Sequence, residues 1–456
     1  MIDIIKRNLS RLAASYSEIH LEKRLITSLV LSNGMIEDIS KKEVLSGNIR
    51  ILHKGQWGFV SFSNISDLDG YIEQVLKNVD AALVYSKLKR RIKPYKKIER
   101  DFRTDYRIDP RSVSLDQKYN LLVSYDSLLK KFKKVINRKL TYIDKKEELF
   151  YGNSEGSLIS QDKTFTGMAV VGVARDGNNI QIGKDSWGGY EGYEIVKGHE
   201  EAVEEAGRTA QDLLKAEMAG GGRMDVIIDP KLSGVFAHEA FGHLSEADFI
   251  FENPQMMDIM QIGKSFGIEE LSIVDDGSMK KEAGSVFADD EGVLADKTYL
   301  IKKGTLFSRL HSRETAQKMD EPLTGNARAI NASFQPIIRM TNTYIEAGTH
   351  SLEEMLSSVD NGIYAVDYVG GQTNLEMFTF SAGRAYKVEK GKVKGLLKNV
   401  VLTGNVFETL KNIRMIGNDL KLFGGLGGCG KGGQSPLPVS TGGPHMKIEN
   451  VLVGGV

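Results

Sequence analysis

A single cysteine stands in 456 residues, so no disulfide can form within the chain and nothing ties it to an oxidising compartment. Charge of one sign is equally lacking: lysine plus arginine and aspartate plus glutamate number 60 each, a formal net charge of zero. That balance excludes a global pull toward nucleic acid or an anionic membrane. No apolar run approaches the roughly 18 residues that a membrane span needs. The first residues, Met1-Ile2-Asp3-Ile4-Ile5-Lys6-Arg7, start an amphipathic helix and lack the apolar core of a signal peptide. A cytoplasmic protein is the default expectation. Histidine is scarce too, with only 8 in the chain, so two of them close together need an explanation.

What is present is ordinary: 41% hydrophobic and 26% charged, the profile of a soluble globular protein. At about 100–200 residues per domain, two or three domains are expected. Apolar residues at helical spacing predict a helix over 2–15. Strands are expected at 18–31, 48–53 and 57–62, the last two forming a hairpin about Lys54-Gly55. A helix over 67–86 follows. Residues 87–107 hold ten Lys/Arg against three acids, with Pro94, Tyr95, Phe102 and Tyr106 among them. Such a segment could touch phosphates, but a solvated linker suits the neutral chain better.

The next segment predicts a helix over 116–133, strands over 137–152 and 158–186, and an amphipathic helix over 196–217. Gly220-Gly221-Gly222 then punctuates the chain. The expected domains are therefore 1–220, an N-terminal mixed α/β region with an antiparallel sheet, and 223–456, a β-rich C-terminal domain. The fold class is α+β. In the second domain a strand over 225–228 leads to Asp229-Pro230, an N-cap and first-turn pair, and a helix to about Ala247. Further strands are expected at 284–288, 297–302, 306–310, 336–346, 377–388 and 394–402. The tail from 421 has eleven glycines, read as tight turns and close backbone approaches.

That helix carries His238-Glu239-Ala240-Phe241-Gly242-His243. Imidazole and thiolate are good zinc ligands, and a glutamate that stays off the metal can take a proton from the attacking water. The spacing departs from His-Glu-x-x-His: ligands at i and i+5 lie about 140° apart on a regular helix. A metal site therefore needs a π-bulge or a break between them, and Gly242 is the residue most able to permit one. The alternative is two histidines on different faces of an ordinary helix. Cys429, flanked by glycines and two residues from Lys431, is the candidate third ligand, its thiolate favoured by the lysine. An inert buried thiol and a catalytic Cys nucleophile are the other readings of it. Glu246 and Asp248 could orient a ligand imidazole or simply cap the helix. Asp289-Asp290-Glu291 could bind a hard cation, but a turn between strands is preferred.

These residues resemble the TldD/PmbA metallopeptidase family, specifically its TldD branch. The resemblance covers nearly the whole chain. It rests on His238-Glu-Ala-Phe-Gly-His-Leu-Ser-Glu-Ala-Asp248, Ala288-Asp-Asp-Glu-Gly292, Leu310-His-Ser-Arg-Glu-Thr315, Thr324-Gly-Asn326, Met340-Thr-Asn-Thr343 and Gly370-Gly371. The tail adds Cys429-Gly-Lys-Gly-Gly-Gln434, Gly442-Gly-Pro444 and Val453-Gly-Gly455, and the N-terminal half adds Asn153-Ser-Glu-Gly156. The resemblance implies a zinc peptidase with His238, His243 and Cys429 as metal ligands and Glu239 as general base. It further implies a dimer enclosing a chamber, either of two copies or with a metal-free PmbA/TldE-like sibling, acting on short or unfolded peptides. The family is also tied to peptide-antibiotic maturation, antitoxin degradation and an older label as gyrase modulator. A regulator of nucleic acid or gyrase with a structural metal is the rival reading. A closed structural zinc site fills four positions with protein groups, whereas a catalytic site leaves one open.

Overall fold

The computed structural model describes residues 1–85, 88–374 and 376–455. Helix α1 (Ile2–Leu9) leads into a seven-stranded sheet of β1 (Tyr16–Ser32), β2 (Met35–His53), β3 (Gln56–Phe62), β4 (Glu99–Arg103), β5 (Val135–Asn153), β6 (Leu158–Asp176) and β7 (Asn179–Gly189). The strand path is β3-β2-β1-β5-β6-β4, with β7 also on β6. All neighbours are antiparallel except β4, which runs parallel to β6. Helices α2 (Leu68–Tyr85), α3 (Leu115–Leu129) and α4 (Glu200–Leu213) complete this part.

Strand alternation explains the layering. Along β1, Ile19, Leu21, Leu29 and Leu31 share one face and are fully buried. The first two join Ile5 of α1 and Val75 of α2, the last two Leu122 of α3 and Val203 of α4. On the opposite face His20, Glu22 and Arg24 are polar and meet the rest of the chain. The Glu22 carboxylate accepts the Ala332 N–H, and Arg24 donates to the Ile330 carbonyl. One face of the sheet is thus a helix-covered core, and the other is a charged docking surface.

Beyond Gly222 the chain is richer in short strands. Gly222–Ile228 lies between Met446–Gly455, antiparallel, and Asn361–Asn374, parallel. Asn361–Asn374 in turn pairs along its whole length with Met377–Glu389. A second sheet contains Ile273–Asp276, Asn342–Ile345 and Ser440–Gly443. Helix α5 (Pro230–Phe236) leaves the end of Gly222–Ile228, its first turn capped by the Asp229 carboxylate on the Leu232 N–H at 2.9 Å. The largest apolar cluster fills this part, with Phe236, Phe241, Phe378 and Phe380 in it. Among the described residues no helix is long and apolar enough to cross a membrane.

The α+β class and the antiparallel N-terminal sheet stand as expected. Element ends and several short pieces do not. The first helix stops at Leu9, not residue 15. β2 begins at Met35 because the β1–β2 hairpin extends far beyond the apolar stretch. The helix expected over 116–133 ends at Leu129, and that over 196–217 covers Glu200–Leu213. The segment 87–107 is not a free linker. Lys93 N–H donates to the Arg313 carbonyl, Tyr95 accepts the Leu294 N–H, and Glu99–Arg103 is a strand. Its first residue, with the end expected for the preceding helix, falls outside the described residues. No strand forms at 284–288, where the chain turns about Gly284. The stretch over 306–310 reduces to Thr305–Leu306, and that over 336–346 splits into Ile337–Ile338 and Asn342–Ile345.

Candidate metal centre

After α5 the helix does not continue as α. Residues Ala237–Gly242 form a π-turn, and His243–Ser245 a 3-10 turn. The His243 N–H donates to the His238 carbonyl, a bond five residues long that the wider turn creates. The two imidazoles are thereby brought to one side, ring centroids 5.2 Å apart and planes at 81°. This is the distortion that the i, i+5 spacing demanded. The role expected of Gly242 is different in kind. Its φ of −57° and ψ of −52° are ordinary for any residue. Space is what it supplies: a Cβ there would sit 2.0 Å from the Met340 sulfur.

Cys429 comes from the glycine tail. Gly428 before it has φ of +153°, and a Cβ on it would lie 2.1 Å from the Leu437 carbonyl oxygen. Glycine lets 429–431 fold tightly against Gln434–Leu437 and delivers the thiol to the histidines. Cys429 Sγ lies 3.4 Å from His243 Nε2, and ligand atoms of His238, His243 and Cys429 all fall within 4.8 Å of one another. Nitrogen and sulfur ligands on a tetrahedral zinc are about 3.5 Å apart, so the set fits that ion. His238 Nδ1 is buried with no hydrogen-bond partner among the described residues, a nitrogen that coordination would satisfy.

Electrostatics agree with the geometry. Burial opposes a thiolate at Cys429, but His238 and His243 outweigh it and bring the thiol down to about 5. Burial likewise opposes charge on His243, yet Cys429 and Glu246 push it up to about 11. The cluster stabilises a thiolate with a positive partner, and a divalent cation can take the place of that proton. The lysine assigned to this task does not perform it. Lys431 Nζ is held by Asp248 at 2.7 Å, Glu246 at 3.0 Å and the Ile338 carbonyl. Its part is indirect, because Glu246 also accepts from His243 Nδ1 at 3.1 Å and so leaves Nε2 facing Cys429. Asp248 reaches the cluster only through Lys431.

Glu239 is half-buried and faces a cavity of about 530 Å³ together with His238, His243 and Cys429. The far wall comes from the N-terminal sheet, where Ala169–Val171 of β6 and Lys184–Ser186 of β7 lie against the glycine tail. Gly370 and Gly371 line the same space. Lys231 Nζ bridges Asp185 at 2.6 Å and Asp367 at 3.4 Å. Nothing in the spacing of Lys184, Asp185, Lys231, Asp367 or Tyr368 marks them in the sequence; tertiary pairing alone gathers them. Asp289-Asp290-Glu291 is a turn, with Asp289 and Glu291 buried and Asp290 partly so, although no strand precedes it as expected. Asp289 accepts the N–H groups of Glu291, Val293 and Ala327, and Asp290 that of Ala329.

Comparison with known proteins gives the arrangement its context. PmbA/TldA metallopeptidase domain 1 matches residues 17–82, the central domain 108–214 and the C-terminal domain 221–455. The chain belongs to the TldD/PmbA metallopeptidase family. A metalloprotease of Synechocystis is 39% identical over 97% of this chain and 95% of its own. A zinc metalloprotease TldD homolog of Saccharolobus solfataricus is 30% identical over 97% of both. In fold, the structure of TldE from Thermococcus kodakarensis superposes with a TM-score of 0.80 over 99% of both chains, at 20% identity.

Proposed function

We propose that this chain is a zinc peptidase acting on short or unfolded peptides, with His238, His243 and Cys429 as metal ligands and Glu239 as general base. The observation that carries it is the convergence of three nitrogen and sulfur donors beside a glutamate in one cavity. Zinc held there would polarise the scissile carbonyl and acidify water. Glu239 takes the proton of the attacking water and delivers it to the leaving amine. Glu246 holds His243 in the tautomer that presents Nε2. Among the described residues the cluster contains three protein ligands, so a fourth position is left open, which favours catalysis over a structural role.

The walls of the cavity suit a peptide main chain. Gly222–Ile228 pairs with Asn361–Asn374 only through Ala365. From Val366 to Asn374 that edge has no strand on it among the described residues, and Gly370 and Gly371 on it line the cavity. An extended peptide can pair there through its backbone, giving broad sequence selectivity. A stably folded protein would have to unfold locally first. We place the chemistry in the 223–456 domain, with 1–220 as a wall and dock, and the protein in the cytoplasm. The working assembly is a dimer, either of two copies or with a TldE-like sibling; the TldE fold likeness supports the second.

Metal analysis with digestion of a disordered peptide, with and without chelator, tests the reading. Wild type should hold about one zinc per chain and cleave the peptide only when it is loaded. Glu239→Gln should keep metal and fold yet lose nearly all turnover. Cleavage by Glu239→Gln near the wild-type rate would remove Glu239 as base. A disordered variant of a test protein should be cut far faster than its folded form.

A further inference from the structure

A peptidase needs a donor for the oxygen that gains charge as the carbonyl is attacked, and that donor must already point at the site. We propose that the hydroxyl of Tyr368 is this donor. The proposal rests on the peptidase reading above.

Backbone irregularity aims the ring. Asn361–Asn374 packs against α5 and the π-turn that carries His238 and Glu239. Its pairing with Met377–Glu389 is regular up to Val366 and then slips between Tyr368 and Gly370. Asp367, just before the slip, has φ of +58°, in the left-handed region that non-glycine residues seldom occupy. Bulges of this kind re-aim a side chain and recur beside active sites. Here the bulge puts Tyr368 in the cavity with His238 and Glu239.

The backbone on either side of the ring is pinned, and one cation lies beside the ring itself. The Asp367 carboxylate accepts the Tyr368 N–H at 2.7 Å. Lys184 of β7 donates to the Val369 carbonyl at 2.8 Å and lies 5.0 Å from the Tyr368 ring centroid. The cationic donors in the same cavity are already engaged, Lys184 on Val369 and Lys231 on Asp185 and Asp367. The Tyr368 hydroxyl has no hydrogen-bond partner among the described residues. Burial, then the charge of Asp367, raises its pKa, with Asp185 and Glu239 adding and Lys231 opposing, so it remains an O–H donor at neutral pH.

The step balances without proton transfer from tyrosine. Water oxygen bonds to the carbonyl carbon, its proton goes to Glu239, and the carbonyl π pair moves onto oxygen. The Tyr368 O–H strengthens its hydrogen bond to that oxygen and releases it when the amine departs.

The test is Tyr368→Phe, which keeps the ring. Zinc content and melting temperature should match wild type. KM should stay within about 3-fold, while kcat falls about 10²–10³-fold, the usual loss for one oxyanion donor. Calorimetry supplies a readout apart from turnover. A phosphinic peptide, which mimics the tetrahedral oxygen, should bind the variant weaker by a factor similar to the kcat loss. An intact peptide bound to Tyr368→Phe/Glu239→Gln should keep the affinity it has for Glu239→Gln. A kcat within 3-fold of wild type overturns the assignment, as does equal weakening of both ligands, which would make Tyr368 a shaper of the cavity. Failure of the wild-type protein itself to cleave would instead remove the peptidase reading, and this assignment with it.

Discussion

His243 donates its backbone N–H to the carbonyl of His238, five residues back. One hydrogen bond thus does two things: it closes the π-turn and puts both imidazoles on the cavity side. In an α-helix the two side chains would diverge by about 140°. The wide turn persists because its surroundings fit it, with Phe241 fully buried and Met340 filling the space above Gly242.

Gly242→Ala should therefore destabilise the protein by about 1–3 kcal/mol, the usual range for overpacking a core. The added methyl meets a methionine sulfur that is itself completely buried. Met340→Ala in the same chain should recover part of the loss by opening room. Chemical denaturation of the two single variants and the double gives the coupling. Full additivity would mean that the Gly242–Met340 contact is not what limits this position.

Cys429→Ser should lower zinc from about one per chain to a small fraction of that under dialysis against a weak chelator. A hydroxyl is a far poorer ligand for zinc than a thiolate. His243, deprived of the thiolate that stabilises its charged form, should also bind protons less tightly in the metal-free protein. Elemental analysis checks the first expectation and imidazole NMR titration the second. Unchanged zinc occupancy would exclude Cys429 as a ligand.

The His238–His243–Cys429 cluster was legible because its signal is chemical: rare residue types at a spacing that forces one local geometry. His238, His243 and Cys429 are brought together as that pattern required. The rest of the cavity was illegible for a physical reason. Lys184 reads as one polar residue in an alternating strand, and Tyr368 as one aromatic in a β-rich stretch. Only the packing of β7 over the Asn361–Asn374 edge makes them neighbours. The long sheet strands followed from their alternation, whereas Thr305–Leu306 or Ile337–Ile338 are held by tertiary pairing that no local pattern encodes. Lys431 shows a subtler limit. Proximity to Cys429 in sequence suggested a direct charge effect, but its amine points to Asp248 and Glu246.

The two halves of the chain are locked by buried charge, and Arg50 is its centre. Arg50 Nε meets Glu18 at 2.5 Å and Nη2 meets Glu291 at 2.6 Å, with all three side chains buried. Arg50→Met would leave two carboxylates facing each other without a cation. Removing one partner of such a buried network costs about 3–5 kcal/mol. Glu18→Gln and Glu291→Gln added to Arg50→Met should regain part of it. Urea denaturation followed by tryptophan fluorescence is apt, because Arg50 lies 4.3 Å from the Trp57 ring centroid. A cost below about 1 kcal/mol would show that the pair does not lock the halves.

Asp229 joins the helix that carries the metal motif to a pH dependence of stability. Burial, with help from the charge of Asp367, raises its carboxyl to about 6, although the Leu232 N–H and His445 favour the charged form. Its ordinary value is 3.8. Between those values the folded chain holds a proton that the unfolded chain has lost, so this group's contribution to stability falls as pH rises from about 4 to 6 and stays lost above. Asparagine keeps the cap on Leu232 but carries no charge. Asp229→Asn should thus match wild type near pH 4 and gain on it up to about pH 6. Above that it should stay more stable by a constant amount of about 1–3 kcal/mol, the scale of a two-unit shift. Melting curves of both proteins from pH 4 to 8 test this. A difference that does not change with pH would mean that the Asp229 carboxyl titrates alike in the folded and unfolded chains. A variant less stable at pH 7 would mean that its charge supports the helix start more than its burial opposes it.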